Sequence, residues 1–280
     1  MTLTRQEVRR LLVRYGLRPS KVRGQHFVVD PNTVRRVVRL AEVAPGDRVV
    51  EVGAGLGSLT LALAEAGAAV TAVEIDHGLV AALRDVVAST GTRVVEADAM
   101  RLDWGELLGQ GPWTLVSNLP YNVATPLIAD LLDDVPAIER MLVMVQREVG
   151  ERLVARPGDA AYGAVSVKVT YWARARIVGR VPSTVFLPEP KVESALVEIK
   201  RRPTPAVEEH HDRGRLFELV GAGFGGRRKM LRRALAGVLE PADIAAAGVR
   251  PEARAEELSV EDWGRLAIQP RRRDTDDAGR

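Results

Sequence analysis

The chain contains no cysteine among its 280 residues. That one absence excludes disulfides, thiolate zinc sites and cysteine nucleophiles, so any chemistry has to come from a bound cofactor or from nitrogen and oxygen groups. Histidine is scarce too. His26, His77, His210 and His211 are the whole set, none has a partner at metal-ligand spacing, and no metal is expected. No apolar stretch approaches the roughly 18 residues of a membrane span. The first thirty residues are interrupted throughout by Arg and Glu, which argues against a secretory signal. No membrane partner is expected, and a cytoplasmic location is the default.

Hydrophobic residues make up 46% of the chain, enough at this length for one large domain and a smaller one. The formal net charge of +3 hides an uneven distribution. Residues 1–29 carry Arg5, Arg9, Arg10, Arg14, Arg18, Lys21 and Arg23 against the single acid Glu7, and residues 225–233 carry Arg227, Arg228, Lys229, Arg232 and Arg233 with no acid. Two basic ends flank a more acidic middle. One such cluster is as often a solvated helix face, but two together favour a polyanionic partner.

An amphipathic segment from Thr4 to Tyr15 predicts a helix, and Gly16, Pro19 and Gly24 an irregular lead-in. From about residue 31 the pattern alternates. Helices are predicted at 31–40, 59–66 and 79–88, and strands at 48–52, 70–75, 94–97, 113–117 and 141–146. That spacing argues for a mostly parallel sheet covered on both faces. Residues 148–155 and 163–172 read as helices, and 177–181 with 192–200 as an antiparallel pair at the sheet edge. Pro203-Thr204-Pro205 then breaks the chain. Beyond it, helices are predicted at 214–222, 228–239 and 260–267. The expected organisation is a basic lead-in (1–29), an α/β domain (30–202), a small helical domain (207–269) and a tail (270–280) too poor in apolar residues to fold. His210 and His211 fall in the linker between the domains.

Glu51-Val52-Gly53-Ala54-Gly55-Leu56-Gly57 lies between the first predicted α/β strand and its helix. Glycines there let the backbone turn tightly and approach a ligand, beside the unpaired amides of the helix start. The next strand ends at Glu74, which can accept ribose hydroxyls, and the third is followed by Asp98, which can accept from an adenine amino group. Ile75 and Ala99 beside them complete this set of cofactor candidates, with Gly53 and Gly55. Glycine loop, ribose acid and adenine acid at three successive strand ends suit S-adenosylmethionine better than a dinucleotide, whose loop prefers G-x-G-x-x-G. A P-loop is excluded because no Gly-Lys-Ser/Thr follows the glycines.

The fourth of these strands runs into Asn118-Leu119-Pro120-Tyr121-Asn122. An amide, a proline and an aromatic in one rigid turn at a strand end form a compact device for holding the exocyclic amine of a flat base, which points to methylation of adenine at N6.

With these residues assembled, the chain over roughly 20–265 closely resembles the class I methyltransferases that dimethylate adenine in ribosomal RNA. Gly24-Gln25-His26-Phe27 resembles the family's opening motif, which more often has Asn at the third position. Asn118-Leu119-Pro120-Tyr121 resembles its catalytic motif, and residues 186–194 its F-x-P-x-P-K-V-x-S motif. Asn122 and the basic stretch from Phe224 to Arg232 are more like the branch acting on the small ribosomal subunit than the large-subunit enzymes that confer macrolide resistance. DNA adenine methyltransferases lack the late motif.

The resemblance implies a Rossmann-like class I sheet and S-adenosylmethionine as cofactor. It implies two adjacent adenines in a hairpin loop near the 3′ end of small-subunit rRNA as substrate, and the small subunit as partner, with a monomer as the default. It places His26 and Val28 beside the methionine end of the cofactor, with Asn118 also in contact. The Asn118 side-chain oxygen and Leu119 carbonyl would accept the adenine amine protons, Pro120 would fix the turn, and Tyr121 would stack on the base, worth about 1–3 kcal/mol. Phe186 is a second stacking candidate. Arg227, Arg228, Lys229, Arg232 and Arg233 would bind RNA phosphates. Large-subunit methylation, or a ribosome-assembly role exerted mainly by binding, are the alternatives.

Overall fold

Many helices of this chain begin where a short polar side chain takes an otherwise unpaired amide. In the computed structural model, which describes residues 2–20, 24–207 and 212–270, Thr4 opens α1 (Arg5–Arg14) with a reciprocal capping box to Glu7. After β1 (Phe27–Val28), Asp30 accepts the Thr33 amide and, with Pro31 in the first turn, starts α2 (Pro31–Ala41). Next come β2 (Arg48–Val52), α3 (Ser58–Glu65), β3 (Ala69–Glu74), then α4 (His77–Val86) capped by Asp76, and β4 (Arg93–Glu96). Asp103 caps α5 (Trp104–Leu108), followed by β5 (Trp113–Asn118), α6 (Ala124–Asp134), β6 (Ile138–Gln146) and α7 (Arg147–Val154). The remainder comprises α8 (Ala164–Trp172), β7 (Ala173–Val181), β8 (Phe186–Leu187), β9 (Ser194–Arg201), α9 (Arg213–Gly225), α10 (Leu231–Ala234), α11 (Pro241–Ala246) and α12 (Val260–Ala267).

Among the described residues seven strands form one sheet in the order β4-β3-β2-β5-β6-β9-β7. The pairs β2–β3, β3–β4, β2–β5 and β5–β6 are parallel, whereas β9 runs antiparallel to β6. The fold is thus a mostly parallel, Rossmann-like sheet with an antiparallel edge. Val49, Val50, Leu115, Val116 and Ser117 are all fully buried, as central parallel strands covered on both faces require. The chain lays β2, β3 and β4 in one direction across the sheet, then returns to place β5 on the other flank of β2. A crevice forms at such a reversal, beyond the carboxyl ends of the strands. A separate two-stranded ladder, β1 with β8, pairs Phe27 with Leu187 and Val28 with Phe186.

The chain divides into two compact units, residues to Glu151 with Ala175–Arg201, and Arg152–Arg174 with the chain from Arg202. Residues 152–174, inside the 30–202 domain expected from the sequence, therefore cluster with the helical unit. Their side chains explain it: Tyr162, Val167 and Tyr171 share a core with Leu216, Leu219, Leu235 and Trp263. The Tyr162 hydroxyl donates to the Leu258 carbonyl at 2.9 Å.

The predicted helix over 228–239 is mostly absent. Helix α9 ends at the Gly225-Gly226 pair, the Lys229 amide bonds back to the Gly226 carbonyl at 2.7 Å, and only Leu231–Ala234 is helical. The amides of Leu231 and Arg232 bond to the carbonyls of Ala253 and Pro251, so a tertiary contact takes donors from this helix start. Lys21, Arg23, His210, His211 and residues 271–280 lie outside the described residues. Among the described residues no helix is long and apolar enough to cross a membrane.

Candidate active site

A cavity of about 320 Å³ occupies the crevice where β2, β3, β4 and β5 end. The glycine turn forms its floor. Gly53 and Gly55 have φ of +71° and +59°, in the left-handed region that favours glycine. A Cβ on Gly53 would lie 3.2 Å from Pro120 Cδ, and one on Gly55 would lie 3.0 Å from Phe27 Cε1. The turn must therefore lack side chains for both its dihedrals and its neighbours. Helix α3 starts next to it without a side-chain cap among the described residues.

Glu74 is buried at the end of β3. Its Oε2 accepts the Gly55 amide at 2.8 Å, and its Oε1 accepts the amides of Ile75 and Asp76 at 2.9 and 3.0 Å. Burial pushes its pKa up, and the three amides hold it back. A carboxylate has about four acceptor directions, so roughly one stays free toward the cavity. Asp98 lines the cavity and is oriented by the Met100 amide at 2.9 Å. Ile75, 54% exposed, and Ala99 supply apolar surface beside it.

Two cavity residues have no role expected from the sequence. Glu51 is buried within β2, its Oε2 accepting the Thr60 hydroxyl at 2.5 Å, and its pKa is pushed up to about 8, first by burial and further by the nearby Glu74 charge. Its signal in the sequence is an acid inside an apolar strand. Ser58, the first residue of α3, has a buried hydroxyl with no hydrogen-bond partner among the described residues. A serine at a glycine-loop helix start is common, and nothing in the sequence marks it.

The other end of the cavity is assembled from three distant segments. Asn118 closes β5, and its Nδ2 donates to the His26 carbonyl at 2.9 Å, leaving Oδ1 without a donor among the described residues. Leu119 is buried, its amide donating to the Met144 carbonyl at 3.0 Å. The Pro120 carbonyl accepts the amides of Val123 and Ala124, which turns the chain into α6. The Tyr121 hydroxyl lies 2.9 Å from Ser194 Oγ, and burial raises its pKa. His26 reaches the Pro188 carbonyl through Nδ1 at 2.7 Å, and Val28 lines the cavity from β1.

Phe186 is not brought to this cavity. It is fully buried, pairs with Val28 across the β1–β8 ladder, and packs with Val34, Val37 and Leu196. Successive strand residues point to opposite sides, and β8 sends Phe186 into the core rather than toward the cavity.

In the helical unit the basic stretch is an exposed turn. Arg227 is tied to Glu256 at 3.0 Å and to the Ala160 carbonyl at 2.7 Å, so its guanidinium braces the unit. Arg232 pairs with Glu252 at 3.6 Å. Arg228, Lys229 and Arg233 are exposed and make no ion pair among the described residues. Among the described residues no group of three or more His, Asp or Glu is placed to hold a metal ion.

Residues 18–269 match the sequence model of the family described as Ribosomal RNA adenine dimethylase. The chain is 50% identical over 276 residues to the ribosomal RNA small subunit methyltransferase A of Thermobifida fusca, covering 95% of each. It is 49% identical over 272 residues to the Streptomyces coelicolor protein of the same description, covering 93% of this chain and 94% of that one. A dimethyladenosine transferase from Plasmodium falciparum shares the fold, with a TM-score of 0.71 and 22% identity over 85% of this chain and 94% of that one. The 23S rRNA methyltransferase ErmE superposes with a TM-score of 0.67 and 29% identity, covering 86% of this chain and 97% of that one.

Proposed function

The chain belongs to the ribosomal RNA adenine dimethylase family, and from that premise we propose that it dimethylates N6 of two adjacent adenines in the 3′-terminal hairpin loop of small-subunit rRNA. The enzyme is an S-adenosylmethionine-dependent rRNA adenine dimethylase acting in small-subunit biogenesis. One observation carries the assignment of the site: the Asn118 amide is turned by the His26 carbonyl so that Oδ1 is left as an acceptor at the rim of a cavity that also holds Glu74 and Asp98.

The cavity residues fit the cofactor by their chemistry. The orphaned Ser58 hydroxyl and the uncapped start of α3 suit a carboxylate. Glu74 suits ribose hydroxyls, Asp98 an adenine amino group, and Ile75 with Ala99 the face of the ring. Gly53 and Gly55 let the backbone approach, while His26 and Val28 close the methionine end. When bound, the cofactor supplies a methyl group on a sulfonium sulfur, which takes back the electron pair as the methyl leaves.

The protein has to prepare the amine. Its lone pair is delocalised into the adenine ring, and acceptors at Asn118 Oδ1 and the Leu119 carbonyl favour the tetrahedral geometry needed for attack. Pro120 fixes those acceptors in one turn, and Tyr121 stacks on the flipped base. The new N6–C bond leaves a proton that solvent removes, so no dedicated base is required. In the helical unit Arg228, Lys229 and Arg233 contact rRNA phosphates, with Arg227 and Arg232 bracing that turn. A monomer in the cytoplasm is the matching arrangement.

The large-subunit alternative is not favoured, because identity to the small-subunit relative from Thermobifida fusca is 50% against 29% to ErmE. A role by binding alone is not favoured either, since the catalytic turn is intact. The test is methyl incorporation into isolated small and large subunits that lack the modification. Dimethyladenosine is expected at two adjacent positions of the small-subunit rRNA, and incorporation confined to the large subunit overturns the proposal.

A further inference from the structure

His26 touches the base end of the cavity in three ways. Its carbonyl takes the Asn118 amide N–H at 2.9 Å. Its Nδ1 faces the Pro188 carbonyl at 2.7 Å, which makes Nδ1 the protonated, donating nitrogen. Its ring lies on the Tyr121 ring, with centroids 5.4 Å apart and planes inclined by 29°. Among the described residues no other aromatic ring stacks on Tyr121, whose hydroxyl is tied to the buried Ser194. The phenol is therefore held at its tip and on one face.

A flat ring offers two faces, and with the imidazole on one, a base has the other. The residue more often found at this position of the motif, asparagine, carries an N–H donor for the Pro188 carbonyl but has no ring to fill the layer. The two side-chain contacts of His26 can thus be separated by substitution. The carbonyl contact to Asn118 belongs to the main chain and survives any side-chain change.

We propose that His26 is a positioning residue for the methyl acceptor. Its imidazole is a fixed layer behind Tyr121, so that the target adenine completes a three-layer stack while N6 meets the Asn118 amide that the same residue orients. This rests on the assignment of Asn118 and Tyr121 to the adenine. Offset ring pairs contribute about 0.5–1.5 kcal/mol, which as a rate is about two- to thirteenfold.

Single-turnover methylation of unmodified small subunits, with S-adenosylhomocysteine affinity measured calorimetrically on the same preparations, tests it. At saturating cofactor, His26→Ala and His26→Asn should each lose about two- to thirteenfold in rate, whereas His26→Phe, which keeps a ring and loses the Pro188 bond, should recover most of that loss. The idea is overturned by a full rate in His26→Ala, by rescue with Asn in place of Phe, or by a loss confined to cofactor affinity. Asn118→Ala, run alongside, separates the two levels. If it keeps the wild-type rate, the assignment of the turn fails. If it is inactive while His26→Ala is unimpaired, only the role of His26 is removed.

Discussion

The two ends of the cavity are built differently. The cofactor end comes from successive strand ends, Glu51 to Gly55, Glu74 and Asp98, each followed at once by its own turn or helix. Most of its polar side chains are fixed locally: Glu74 by the amides of its two following residues and of Gly55, Asp98 by the amide two residues on. The base end joins Asn118 to His26, His26 to Pro188 and Tyr121 to Ser194, partners 92, 162 and 73 residues apart. The first end is held mostly by bonds close in sequence, the second by bonds that only the tertiary fold brings together.

The largest effect that would sharpen this contrast is expected from Asn118→Ala. Removing one preorganised group costs about 10²–10³ in rate, and cofactor affinity should stay within about twofold; a few-fold loss of turnover would erase the distinction between the two ends. Glu74→Ala should do the converse. Losing an acceptor with charge-assisted bonds weakens cofactor binding by roughly 10–100-fold, with turnover at saturating cofactor nearly kept.

Gly53→Ala tests the point where the ends meet. Its φ of +71° and the 3.2 Å approach to Pro120 Cδ put strain of about 1–2 kcal/mol into both walls, so affinity and rate should fall together, by about tenfold each. A change in only one would show that the ends are independent. Charge reversal at Arg228 and Lys229 should leave the chemistry alone and make RNA binding less steeply dependent on salt, the log–log slope falling by about one for each phosphate no longer neutralised, as measured by filter binding.

The smallest effect concerns Glu51. Its folded pKa of about 8 lies above the ordinary 4.5, so the folded state holds the proton more tightly. That contribution to stability is full below pH 4.5 and is lost as pH rises through about 8. Urea midpoints taken across this range should fall toward the alkaline side, and Glu51→Gln should flatten the profile; parallel profiles would show that Glu51 does not titrate there.

Much of this was legible because period and punctuation report local structure. The strand predicted at 48–52 is β2, and the helix at 163–172 is α8 within a residue. The 228–239 helix was not, because amides of the stretch bond to Ala253 and Pro251, and propensity holds no information about partners so far along the chain. Phe186 looked like a base-stacking aromatic for the same reason: the motif fixes its place in the chain but not which side of a two-residue strand it faces. The bracing of Arg227 by Glu256 likewise depends on a partner 29 residues away.

The sequence by itself determined the α/β alternation, the glycine turn, the acids at the strand ends and the Asn-Leu-Pro-Tyr turn, since each is dictated by neighbours within a few residues. Only the tertiary structure decided that His26 orients Asn118, that Glu51 and Ser58 face the cavity, and that Phe186 does not. Those outcomes depend on which distant backbone groups and side chains are brought into hydrogen-bond and van der Waals reach, and that is settled when β1 pairs with β8 and the sheet closes around β2 and β5.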